Sequence, residues 1–206
     1  MKALLIIDVQ YDFLPGGALA VSEGDLIIPV INQLQEKFEF IVATQDWHPA
    51  NHGSFAANHQ GKRPGDFVQL GNVDQVLWPV HCVQESEGAA FHKDLEKTKW
   101  KYIVRKGTNP HVDSYSGFFD NDRRESTGLS QYLREHGVEE VVVTGLATDY
   151  CVKFTVLDAI KEGFEATVVT DATKAVNLSP GDYDAAIKEM VKAGAEAKTS
   201  KEMLGN

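Results

Sequence analysis

The chain has 206 residues, 43% hydrophobic and 24% charged, the composition of a soluble globular protein able to bury a sizeable core. Its net charge of -10 argues against nucleic acid or an anionic membrane surface as partner, and no apolar run approaches the roughly 18–20 residues of a membrane span. Two cysteines, Cys82 and Cys151, make no disulfide framework and suit a reducing cytoplasm.

In chain order, residues 2–9 are nearly continuously apolar, which predicts a central strand covered on both faces. The residues before this strand are too few for a signal peptide, so none is expected. Asp8 interrupts the run at its end, where a carboxylate needs a partner or a chemical task. A loop rich in turn residues follows, with Phe13 and Leu19 as core or as walls of a pocket beside Asp8. Residues 25–37 carry a helical stripe, and residues 40–44 form a second strand. From 46 to about 97 the chain shows little periodicity, and so long an irregular segment in a compact domain is usually functional.

Residues 100–105 are a third strand, followed by Lys106-Gly107. Residues 126–136 are a helix closed by Gly137, and 139–144 a fourth strand. Cys151 then sits in the first turn of a helix ended by Gly163, where free backbone N–H groups favour a thiolate. Residues 165–170 form a fifth strand; Ser179-Pro180 caps a last helix that stops at Gly194, and 195–199 form a sixth strand. The alternation predicts one α/β domain over residues 1–206: an open, mostly parallel six-stranded sheet with helices on both faces, and a long irregular insertion.

In such sheets reactive groups gather past the carboxyl ends of the strands, and Asp8, Asp46, Lys106 and the Cys151 loop all fall there. Cys151 suits a nucleophile, Asp8 a base that takes and returns its proton, and Lys106 a cation beside both. The Cys151 backbone N–H is placed to hold an oxyanion. Asp46 and His48, two apart in extended chain, face one side, and His81 adds a third ligand. That set suits Zn²⁺, Fe²⁺ or Mn²⁺. Neither a G-x-G-x-x-G loop, a P-loop lysine motif nor a G-x-S-x-G elbow is present.

These blocks resemble the nicotinamidase/pyrazinamidase branch of the isochorismatase-like cysteine hydrolases. The matching stretches are Asp8-Val9-Gln10, Asp12-Phe13, Gly16-Gly17-Ala18-Leu19, Asp46-Trp47-His48-Pro49, Trp78-Pro79-Val80-His81-Cys82, Lys106-Gly107, Asp113-Ser114-Tyr115-Ser116 and Gly145-Leu146-Ala147-Thr148-Asp149-Tyr150-Cys151-Val152. The resemblance implies a Rossmann-type three-layer fold and hydrolysis of nicotinamide, with pyrazinamide also a substrate, in NAD salvage. It implies a catalytic triad of Asp8, Lys106 and Cys151. It implies an oxyanion hole from the N–H groups of Ala147 and Cys151, next to a cis peptide before Ala147. One divalent metal, zinc foremost, on Asp46, His48 and His81 would grip the pyridine nitrogen, with waters and in some members a further side chain, here Ser54. Phe13, Leu19, Trp78 and Tyr115 would line the ring pocket. Both monomers and homo-oligomers occur in the family; Cys82 is read as inert.

Overall fold

From Ala3 to Ile7 the first strand, β1 (Lys2–Ile7), is buried at every residue, which requires cover on both faces of the sheet. The computed structural model describes residues 1–205; Asn206, the last residue of the expected domain, lies outside them. After β1 come helix α1 (Ile27–Gln35), strand β2 (Ile41–Asp46), a hairpin of β3 (Phe67–Leu70) and β4 (Val73–Val76), and strand β5 (Trp100–Lys106). The second half runs α2 (Leu129–Glu135), β6 (Glu140–Leu146), α3 (Lys153–Lys161), β7 (Glu165–Lys174), α4 (Asp182–Ala193), β8 (Glu196–Lys198) and α5 (Ser200–Leu204). None of the described helices is long and apolar enough to cross a membrane.

Six strands form one parallel sheet in the order β5-β2-β1-β6-β7-β8. From β1 the sheet grows outward through β2 and β5 on one side and through β6, β7 and β8 on the other. The direction of winding therefore reverses beside β1, and a crevice opens there past the strand ends. Alternate residues feed two cores. Leu5, Ile7, Val42, Val141 and Val143 pack with Leu129, Leu133, Val156, Ala159 and Met190 of α2, α3 and α4. Leu4, Ile6, Ile41, Ala43 and Val142 pack with Ile27, Ile31 and Leu34 of α1, and Met203 and Leu204 of α5 join that layer.

Several local expectations are corrected. The segment after Asp46 is not wholly irregular, since β3 and β4 pair as an antiparallel hairpin. The helix expected from 126 starts at Leu129, because Ser126 bridges Phe119 and Thr127 N–H bonds to the Phe118 carbonyl. Ser179 does not cap α4. Gly181 is the cap residue, at φ 93, and Ser179 donates its own N–H to the Asp182 carboxylate at 2.8 Å. Beyond β8, the short α5 closes with a Thr199/Glu202 capping box that the sequence reading did not foresee.

Candidate active site

Register brings the polar strand ends together. Asp46 is the cross-strand partner of Lys106, and Ile7, just before Asp8, pairs with Thr44 on one side and Gly145 on the other. Gly145 is required there: a Cβ would lie 2.1 Å from the Ile7 carbonyl oxygen, so only glycine lets β6 approach β1 so closely. The peptide between Leu146 and Ala147 is cis, at the position the family resemblance implied. Next comes a single π-helical turn, Thr148–Val152, that runs into α3. Cys151 therefore sits in a wide turn, rather than in the first turn of a regular α-helix.

Lys106 is the hub. Its ammonium, fully buried, lies 2.8 Å from Asp8 Oδ2, donates to the Ser114 carbonyl at 2.9 Å and to Cys151 Sγ at 3.4 Å, and is hydrogen-bonded to Asp46. Thr44 donates its hydroxyl to Asp8 Oδ1 at 2.6 Å, which leaves Oδ2 to face Lys106. Carboxylate oxygens of Asp8 and Asp46 and the sulfur of Cys151 all lie within 4.8 Å of one another. Burial pushes the Asp8 carboxyl up to about 6, despite the opposing pull of Lys106. Burial also holds the Cys151 thiol well above its ordinary range; Lys106 opposes this and the two carboxylates add to it. For Lys106, burial disfavours the cation, but Asp46 and Asp8 together outweigh it and keep the amine charged. The resting state is a thiol beside an ionised carboxylate, not the free thiolate that a helix N-terminus alone would favour.

Asp46, His48 and His81 converge, each with a ligand atom within 4.8 Å of the others and all buried. His48 Nε2 is 3.5 Å and His81 Nε2 3.9 Å from Asp46 Oδ2. Each ring donates its other nitrogen to a carbonyl, His48 Nδ1 to Gly107 and His81 Nδ1 to Pro79, both at 2.8 Å. The Nε2 atoms of both rings therefore face the shared space. Gly107, at φ 63, is needed for this clamp, since a Cβ would lie 2.3 Å from His48 Cε1. His48 Nε2 is buried and, among the described residues, has no hydrogen-bond partner, an orphan that a metal ion would satisfy. Burial pushes His81 down to about 4, with His48 as the next cause, so it is neutral and free to ligate at neutral pH. The donor set fits a divalent metal.

Ser54, the further side chain the resemblance implied, is hydrogen-bonded to His52. Its hydroxyl and its N–H both meet His52 Nδ1, at 2.7 and 3.2 Å. Phe13 stands edge-on to His81, with ring centroids 5.5 Å apart, beside the ligands. Trp78 donates its indole N–H to the Tyr115 hydroxyl at 3.0 Å, and both rings meet Tyr150 edge-on at 4.9 and 5.3 Å. Leu19 is half-buried against the α1-side core. Sequence reasoning missed Phe55, wedged against His48 and His81, and also Tyr150, Thr44 and Ser114. Only Tyr150, next to Cys151, carried a positional signal.

An isochorismatase domain model matches residues 2–202. The chain belongs to the isochorismatase family. Within it, the nicotinamidase of Escherichia coli K12 is 52% identical over 202 residues, covering 96% of this chain and 94% of that protein. The solved nicotinamidase/pyrazinamidase of Acinetobacter baumanii superposes with a TM-score of 0.95 at 48% identity, covering 98% of this chain and 97% of that one. A pyrazinamidase of Pyrococcus horikoshii, solved in complex with zinc, matches with a TM-score of 0.79 at 40% identity over 96% of this chain and 98% of that one.

Proposed function

We propose that the chain is a nicotinamide amidohydrolase that releases nicotinate and ammonia and also accepts pyrazinamide. The observation that carries the reading is the Lys106 ammonium, which joins the Cys151/Asp8 pair to the Asp46/His48/His81 cluster through its contacts with Asp8, Cys151 and Asp46. One end of the crevice holds groups that cleave an amide, and the other holds an anchor for a ring nitrogen.

Asp8, ionised at neutral pH, accepts the Cys151 proton as sulfur attacks the carboxamide carbon. The two groups lie close in space, so the proton passes as sulfur attacks and a thiolate need not accumulate beforehand. The N–H groups of Ala147 and Cys151 receive the developing oxyanion. Asp8 then gives its proton to the departing nitrogen, and ammonia leaves a thioester on Cys151. Water, deprotonated by Asp8, attacks the thioester; nicotinate departs and the thiol is restored. Lys106 remains charged throughout and offsets the negative charge that passes between Asp8 and sulfur. When bound by Asp46, His48 and His81, a divalent ion supplies a Lewis acid that orients the pyridine nitrogen, and zinc is the first to test. Phe13, Leu19, Trp78 and Tyr115 flank the ring.

Ammonia release from nicotinamide by the metal-loaded protein tests the reading. Turnover that disappears in Cys151→Ala, while metal binding persists, is the expected result. No ammonia from either nicotinamide or pyrazinamide would sink it.

A further inference from the structure

Asp46 carries two duties, since its carboxylate faces the two histidines and also accepts from Lys106. Something must hold its backbone. Along β2, pairing with β1 ends at Thr44, where β1 stops at Ile7 and the chain turns through Asp8 at φ 48. Past that point, among the described residues, no strand pairs with β2 on the β1 side.

The side chain of Gln10 occupies the gap. Its Nε2 donates to the Asp46 carbonyl at 2.8 Å, and its Oε1 accepts the Asp46 N–H at 2.8 Å. That is the two-bond pattern of a paired strand residue, made by a side-chain amide. The same Nε2 donates to the Ala89 carbonyl at 2.8 Å, and the Gln10 N–H bonds to Asp8 O at 2.8 Å. Gln10 is fully buried, and every polar group of its amide is used. It thus ties the end of β1, which carries Asp8, to the end of β2, which carries Asp46.

We propose that Gln10 is a positioning residue for the metal ion, acting through Asp46. Its amide sets the bearing of the Asp46 carboxylate toward His48 and His81. This rests on the metal part of the proposed function. Support one step removed from the ligands typically governs metal affinity by about 10–100-fold.

A neighbouring glutamine provides the control. Gln45 is also buried and donates to the same Ala89 carbonyl, at 2.9 Å, but its side chain makes no bond to Asp46. Metal-stripped wild type, Gln10→Met and Gln45→Met are titrated with Zn²⁺ by calorimetry, alongside thermal melts. Both variants lose thermal stability. Gln10→Met weakens Zn²⁺ binding by about 10-fold or more, and raises KM for nicotinamide more than it lowers kcat at saturating Zn²⁺. Gln45→Met binds Zn²⁺ within a factor of about 2 of wild type. Should Gln10→Met fail to fold, Gln10→Asn, the same amide one methylene short, replaces it with the same expectation. Wild-type zinc affinity in the Gln10 variant, or equal weakening by the Gln45 variant, overturns the proposal. If wild type itself binds no Zn²⁺, Fe²⁺ or Mn²⁺, the metal reading fails and this inference falls with it; ammonia release is scored separately.

Discussion

Asp8 can work as a base only when ionised, and burial has moved its carboxyl from the ordinary carboxylate range up to about 6. As pH falls through that value the proton stays on Asp8 and can no longer be taken from Cys151. The predicted profile of kcat/KM is flat near neutrality and drops about tenfold per unit below roughly pH 6. Asp8→Asn removes the acceptor at every pH and costs about 10²–10⁴ in rate, and a variant that keeps the wild-type acid limb contradicts this assignment. Lys106→Met makes a different point. It leaves the buried carboxylates of Asp8 and Asp46 without their cation, which predicts a loss of about 3–5 kcal/mol in denaturant unfolding. A loss below about 1 kcal/mol would show that neighbouring groups compensate. Asp8, Asp46, Lys106 and Cys151 were legible in the sequence because strand-end polar residues in a parallel sheet share one address. Thr44 and Ser114 were not, since one acts through a buried hydroxyl and the other through a backbone carbonyl. Neither residue type signals such a contact.

Elements were legible in proportion to their apolar periodicity. The buried runs of β1, β2 and β6 and the stripes of α1 and α3 stand out, whereas the hairpin of β3 and β4 does not, because its strands are four residues each and β3 buries none of its residues fully. Its Gly71-Asn72 turn was the available signal. The hairpin matters through Gln75, which is buried and donates to the Tyr115 hydroxyl at 2.7 Å, while Asn121 donates to its Oε1 at 3.1 Å. Gln75 thereby holds one wall of the proposed ring pocket. Gln75→Leu should raise KM for nicotinamide by about 2–10-fold, the worth of one buried hydrogen bond, and leave kcat nearly unchanged. Unaltered steady-state kinetics would place the hairpin outside substrate binding. The Ser179-Pro180 reading failed because a glycine in the left-handed region starts α4, two residues later, and the Ser179 N–H turns to the Asp182 carboxylate instead.

Across the whole molecule, the reversal of winding beside β1 puts Asp8 and Cys151 on adjacent strand ends, and β2 and β5 bring Asp46 and Lys106 alongside. Chain order alone spreads these residues over most of the sequence; the sheet order collects them. A metal that binds only the folded cluster must also stabilise the fold. Zn²⁺ at about 100 times its Kd should add about 2.7 kcal/mol and raise Tm by several degrees, with no rise in Asp46→Ala. An unchanged Tm in the wild type would mean that the cluster does not hold the ion. The central claim is that amide cleavage passes through sulfur, and the most direct test is mass spectrometry of the enzyme quenched in acid during turnover of nicotinamide. The account predicts a nicotinoyl group on the peptide that contains Cys151, absent in Cys151→Ala; full turnover by Cys151→Ala with no adduct on any peptide would contradict it.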